Sequence, residues 1–201
     1  MTEPARRAQI LEAADRLLRH YGAQKTTVSD VAREAGVGVG SVYLEFPSKE
    51  AIVEELSRSR HREVLDAMRA ASSAGRRPFS ERFTRALDAR LEAFFTLVDA
   101  GTHACDLVHC VSAAVKAAQA SFQHAQLALV ADLLRRGAEA GELEAADPEA
   151  VAGTVLRAYV SFSLPSIAGC DRGETRAAQA AMHQLTLRGI LVRVPPRLKR
   201  A

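Results

Sequence analysis

The chain has 201 residues, 48% of them hydrophobic and 25% charged, with a formal net charge of +3 and a pI near 9.0. That balance excludes a disordered or low-complexity chain, and no run approaches the roughly 18 uninterrupted apolar residues of a membrane span. Three cysteines, Cys105, Cys110 and Cys170, are an odd number and do not form the disulfide framework of a secreted protein.

The start, Met1-Thr2-Glu3-Pro4, lacks the apolar segment of a secretory signal, so a cytoplasmic protein is expected. Charge is unevenly placed. Residues 1–46 carry Arg6, Arg7, Arg16, Arg19, Lys25 and Arg33 against Glu3, Glu12, Asp15, Asp30, Glu34 and Glu45, which cancel. Much of the excess lies in the tail, at Arg188, Arg193, Arg197, Lys199 and Arg200. Net charge alone therefore does not point to nucleic acid.

Alanine is abundant and apolar residues recur at three and four positions, which predicts an all-α chain. Ile10, Ala14, Leu17 and Tyr21 make a first stripe, with Gly22 placed to stop the helix. Thr27 then precedes Val28, Val31, Ala32 and Ala35, with Asp30 in the reciprocal position of a capping box and Gly36 as the stop. Val39, Val42, Tyr43 and Phe46 form another short stripe, closed by Pro47, and Ser48 can cap the next helix. This longer helix is predicted from Lys49 to about Ala71, ending in the loop 72–78. Phe79, Phe83, Leu87, Leu91, Phe94, Phe95 and Val98 then repeat near every fourth residue up to Gly101, a face that has to be buried. Further helices are expected at 104–111, 113–140, 148–165 and 174–192, with Asp147 and Pro148 as N-cap and first-turn proline of the third of these.

Helix, short glycine turn and helix over 27–46 is the layout of a helix-turn-helix whose second helix enters the major groove. Gly36 permits the turn, Val31 and Ala32 pack one helix on the other, and Gly38, Gly40 and Ser41 keep the start of the second helix slim. The string Thr26-Thr27-Val28-Ser29-Asp30-Val31-Ala32-Arg33-Glu34-Ala35-Gly36-Val37, with Gly40-Ser41-Val42-Tyr43-Leu44-Glu45-Phe46-Pro47-Ser48-Lys49-Glu50, resembles the tetracycline-repressor (TetR) family of transcriptional regulators. The match is dense, ungapped and confined to about the first quarter of the chain.

The resemblance implies an N-terminal three-helix DNA-binding domain, 1–47, and a helical ligand-binding and dimerisation domain, 48–201, joined by the helix 48–71. It implies that Thr27 and Tyr43 bond phosphate oxygens, with Thr26 in the same DNA-facing set, and that Lys49 meets the backbone too. Gly38, Val39, Gly40, Ser41 and Leu44 would face base edges, with Val39 or Leu44 against thymine methyls. The chain departs from the family at Val39, often polar or basic there, and at Glu45, usually aromatic or histidine. An acid at Glu45 would repel phosphate unless turned away or accepting from a cytosine amine.

For the regulatory half, an apolar cavity with a few placed polar groups is expected. Its candidate lining is Phe83, Leu87, Phe94, Phe122, Leu127, Tyr159 and Phe162, with Lys116, Gln119, Gln123 and Ser163 available to orient a polar group. His103, Cys105, Asp106, His109 and Cys110 cluster within eight residues. Cys105 and His109, four apart on a helix, offer the alternative of a metal-sensing repressor, weighed against small cysteines filling a helix interface. A cysteine-histidine enzyme is weaker still, for want of a third orienting residue. No cofactor is expected.

The resemblance also implies a homodimer through the helices near 148–165 and 174–192. Ala177, Ala178, Ala181, Met182 and Leu185 make a narrow face, and Val151, Val155 and Tyr159 supply a partner stripe. The partners expected are double-stranded operator DNA and a small effector, with release of a palindromic operator when the effector binds.

Overall fold

The structure, a computed structural model, describes residues 3–73, 75, 77–101, 103–108 and 112–191. His109, Cys110 and the tail from residue 192 lie outside the described residues. Eight α-helices run in chain order: α1 Glu3–Lys25, α2 Val28–Glu34, α3 Val39–Glu45, α4 Lys49–Ser73, α5 Phe79–Asp99, α6 Ala113–Glu139, α7 Pro148–Ala158 and α8 Arg172–Ile190. Among the described residues no strand forms. No helix among them is long and apolar enough to cross a membrane.

The first buried stripe differs from the expected one. Ile10, Ala14 and Leu18, at i, i+4 and i+8, are buried with Ala13, whereas Tyr21 stands exposed against the His20 ring. Gly22 kinks α1 rather than ending it, at φ 77, and a Cβ there would meet the His103 ring at 3.1 Å. Only glycine fits both demands. Gly36, at φ 64, makes the turn after α2.

Two further expectations shift. The 104–111 helix is a 3-10 turn, Ala104–Leu107, in the described part. The helix expected over 148–165 stops at Ala158, and a 3-10 turn, Val160–Phe162, comes after it. Asp147 caps α7 through Glu149 and Ala150 N–H groups, with Pro148 opening the helix.

Two apolar cores result. The N-terminal core gathers Ile10, Ala14 and Leu18 of α1, Val31 and Ala32 of α2, Val42 of α3 and Phe46 just beyond it. It also takes Ile52, Val53 and Leu56 from α4, Leu107 from the 3-10 turn and Val115 from α6. The larger core begins further along the same helix, at Val64, Leu65 and Met68, and continues through the phenylalanines of α5 into α6, α7 and α8. Helix α4 thus belongs to both cores. Arg60 of α4 and Arg19 of α1 both pair with the buried Asp15 carboxylate, at 2.7 and 2.9 Å, fastening α1 across α4.

Candidate functional site

Helix α2 is fixed at its start by a reciprocal cap. The Asp30 N–H donates to the Thr27 hydroxyl at 3.2 Å, and the Thr27 N–H donates to the Asp30 carboxylate at 3.0 Å. The hydroxyl itself also donates to that carboxylate at 2.6 Å. These bonds, the side-chain one foremost, hold the Asp30 carboxyl below its ordinary value. The cap fixes the entry of the chain from α1 into α2, while the turn to α3 is made at Gly36.

On α3 the short stripe read from sequence divides. Val42 and Phe46 are buried, while Val39, Tyr43 and Leu44 are exposed, Tyr43 by 52% and Leu44 by 80%. Gly38 and Gly40 are exposed beside them and Ser41 is half-buried. An apolar helix face held open to solvent, flanked by glycines that let backbone approach, suits a groove lined by base edges and thymine methyls.

Glu45 is turned inward. Its carboxylate pairs with the Arg6 guanidinium at 2.6 Å, and its carbonyl accepts from Arg7 Nη1 at 2.8 Å. Arg7 stacks 4.1 Å from the centroid of the Phe46 ring. The acid that sequence reading set against a phosphate backbone is therefore neutralised within the protein, and the arginines spent on it hold the end of α3.

Two members of the expected DNA-facing set make hydrogen bonds within the protein. Thr26 is only 2% exposed, and its hydroxyl donates to the Gly22 carbonyl at 2.8 Å. This buried hydroxyl satisfies its own donor at the carbonyl of the kinked residue. The Lys49 ammonium donates to the Ala23 and Thr26 carbonyls at 2.7 and 3.2 Å. A cation at these terminal carbonyls of α1 complements the helix dipole. Periodicity carries no sign of either contact: the Lys49 bonds join residues 26 and 23 positions apart, and the Thr26 bond, though local, accompanies the kink at Gly22.

The regulatory half contains a cavity of about 600 Å³ between α4, α5, α6 and the segment after α7. Phe94, Phe122, Gln123 and Leu127, all expected there, line it, as do Gln119 and Ser163. Phe83, Leu87, Tyr159 and Phe162 do not. They are buried in the larger core, where Phe83 packs against Phe79 and Tyr159, and Tyr159 against Phe162. The Tyr159 hydroxyl bonds His183 Nδ1 at 2.7 Å, and His183 Nε2 bonds the Asp88 carboxylate at 3.0 Å, tying α7 and α5 to α8. Lys116 is exposed on α6 and is not part of the cavity wall.

Sequence reading missed three polar members of the wall: His61, Arg90 and Gln126. Each is buried. His61 stacks on Phe122 at 4.6 Å, and burial, offset in part by the Val108 backbone, lowers its pKa to about 4, so the ring is neutral at pH 7. Arg90 Nη2 donates to the Ser163 hydroxyl, while Nε and Nη1 have no partner among the described residues. Burial pulls its pKa down to about 10, which still leaves it charged at neutrality. Charged residues on an otherwise apolar helix look like its solvent face, which is why Arg90 gave no signal.

Cys105 is half-buried, and burial followed by the Asp106 charge raises its thiol pKa, which favours the protonated form over the thiolate a metal needs. His103 pairs with Asp106 at 3.0 Å. Among the described residues no three His, Cys, Asp or Glu side chains group as metal ligands, and His109 lies outside them. On the expected dimer face, Ala177, Ala178, Ala181 and Leu185 are exposed and Met182 is half-buried. Val155 and Tyr159 are buried within the protomer and cannot present a stripe to a partner; Val160 is the large apolar residue exposed just after α7.

Residues 10–56 match the family model described as bacterial regulatory proteins, tetR family. The chain is 28% identical over 157 residues to the HTH-type transcriptional regulator YhgD of Bacillus subtilis, covering 78% of this chain and 82% of that protein. It is 39% identical over 70 residues to the HTH-type transcriptional repressor KstR2 of Mycobacterium tuberculosis, 31% of this chain and 35% of the repressor. The chain thus spans about a third of KstR2. Among solved structures, the SmeT–triclosan complex superimposes with a TM-score of 0.71 at 18% identity over 98% of both chains. SmeT is the repressor of a multidrug efflux pump of Stenotrophomonas maltophilia; at that identity the likeness concerns fold.

Proposed function

This chain belongs to the tetR family of bacterial regulatory proteins, DNA-binding transcriptional regulators, and from that premise we propose that it is a cytoplasmic repressor which releases a palindromic operator when a small effector fills its cavity. No catalysis is needed. The observation that carries the reading is the exposed face of α3, Val39, Tyr43 and Leu44, held by a helix-turn-helix whose core shares its elements with a cavity wall.

Tyr43 and Thr27 would bond phosphates and fix the register, and Gly38, Val39, Gly40, Ser41 and Leu44 would meet base edges. Two copies would pair through the exposed alanines and Leu185 of α8 with the end of α7, placing the two α3 helices in successive major grooves. Three elements connect cavity and reading head. Helix α4 carries His61 in the wall and Leu56 in the N-terminal core; α6 carries Phe122 and Val115; the 3-10 turn leads from Leu107 to Val108. An effector that favours one arrangement of these elements changes the spacing of the two heads, and operator affinity falls by its differential affinity for the two states.

Selection of binding sites from random DNA, with footprinting of the selected sites, tests the reading. A two-fold footprint with half-sites one helical turn apart is expected. A monomer at micromolar concentration with a single-groove, asymmetric footprint would overturn it.

A further inference from the structure

The cavity has an electrostatic imbalance that an apolar effector would not satisfy. Arg90 is 5% exposed and makes no ion pair among the described residues; its guanidinium meets only the neutral Ser163 hydroxyl and the Phe94 face, 5.1 Å from the centroid. Asp88, on the same helix, is spent on Gln179 and His183. Arg157 lines the rim as a second cation, and among the described residues no aspartate or glutamate lines the cavity. In the wall of the same cavity, the buried Gln126 Nε2 also lacks an acceptor among those residues. A buried cation without a counter-ion is costly, far more so than a buried neutral group. A wall with unsatisfied donors on Arg90 and Gln126 and no acid calls for an anionic acceptor from outside.

We propose that the effector is an amphipathic organic anion, a carboxylate on an apolar body, whose carboxylate docks on Arg90 with Gln126 beside it. The proposal rests on the reading of this cavity as the effector site. The unpartnered Arg90 N–H groups can donate charge-assisted hydrogen bonds to a carboxylate, one oxygen at Nε or Nη1 and the other sharing Nη2 with the Ser163 hydroxyl, which completes a fork. Phe94, Phe122, Leu127, Leu156 and Leu164 give the body apolar walls. A volume of about 600 Å³ lies within the range of drug-sized ligand pockets, far beyond what acetate or inorganic phosphate would fill. His61, stacked on Phe122 and neutral at pH 7, adds no competing charge to the wall. The rim residues Gln123, Arg157 and Pro165 are exposed, so the body has a way in.

Two matched probe series test this: decanoate, decan-1-ol and decylamine, and 1-naphthaleneacetate, 2-(1-naphthyl)ethanol and 2-(1-naphthyl)ethylamine, read by calorimetry and thermal shift. In wild type the carboxylate of at least one series should bind about 10- to 100-fold tighter than its alcohol, the span of a charge-assisted hydrogen-bonded pair. Arg90→Gln should bring carboxylate and alcohol within about 3-fold of each other while leaving alcohol binding in place, and Arg90→Lys should restore part of the preference. Ligand-free Arg90→Gln should melt no lower than wild type, because the lost guanidinium had no ion pair; this guards against a merely unfolded variant. If alcohols bind but carboxylates show no preference, or the preference survives Arg90→Gln in a folded variant, the anion proposal falls and the effector cavity stands. If no probe of either series binds, both fall.

Discussion

Leu107 and Val108 are consecutive residues with side chains in different places, Leu107 in the core of the helix-turn-helix and Val108 in the wall of the cavity. A ligand pressing on one side of this step bears directly on the other. The first prediction is that Leu107→Ala costs about 2–5 kcal/mol of stability through the cavity it leaves, yet alters decanoate binding by no more than about 3-fold, while the ligand's effect on operator affinity shrinks toward nothing. Calorimetry for ligand and fluorescence anisotropy for DNA separate the two. Full induction by the variant would show that coupling takes another route.

The second prediction separates a DNA contact from a structural cap. Tyr43→Phe should weaken binding to operator and to unrelated DNA alike, by about 3- to 10-fold, the worth of one hydrogen bond. Lys49→Ala should lower stability by about 1–3 kcal/mol, because two carbonyls of the α1 terminus lose their donor. It should also reduce the salt slope of DNA binding by about one through its remaining N–H. An unchanged slope with lowered stability would leave Lys49 a cap alone, and unchanged affinity in Tyr43→Phe would remove the phosphate role from that hydroxyl.

His61 makes stability depend on pH. Its pKa falls from 6.5 in the ordinary state to about 4 when folded, so between those values the unfolded chain binds the extra proton and stability drops as pH falls. The contribution is flat above pH 6.5 and amounts to a loss on the order of 3 kcal/mol on reaching pH 4. Denaturant titrations at about pH 7 and about pH 4.5, which span most of that loss, should show a smaller decline for His61→Gln than for wild type. Equal losses would mean the ring is hydrated or paired when folded.

Dimerisation is tested on α8. Leu185→Glu and Ala181→Glu, both on exposed positions, should leave the protomer folded and yield monomers at micromolar concentration. Operator affinity should then fall by roughly 100-fold or more as the advantage of two linked half-sites is lost. Dimers that persist in both variants would move the interface off this helix.

The parts legible in sequence are those governed by local chemistry. The Thr27–Asp30 capping box, the glycine turn at 36 and the Asp147-Pro148 start of α7 stand where residue types and spacing put them. Helical periodicity separates inside from outside, but does not say whether an inward side chain meets another or a void. Phe83 and Phe122 are equivalent on that criterion, yet one packs on Tyr159 and the other walls the cavity. The inward turn of Glu45 depends on Arg6, 39 positions away, and the Lys49 contacts on a kink at Gly22. Such pairings exist only once helices have docked.

Because α4 feeds both cores, and because Leu107 and Val115 complete the first of them, a fragment ending at residue 47 would lack Ile52, Val53 and Leu56 as well as both later contributions. Its three helices would expose to water the apolar sides that these residues cover. The reading head is therefore no interchangeable cassette. Grafted onto another sensor, it would need that host to present matching side chains at the seam, so recombination between relatives should succeed only where Leu107 and Val115 travel with the head or the host supplies side chains of the same shape in their place.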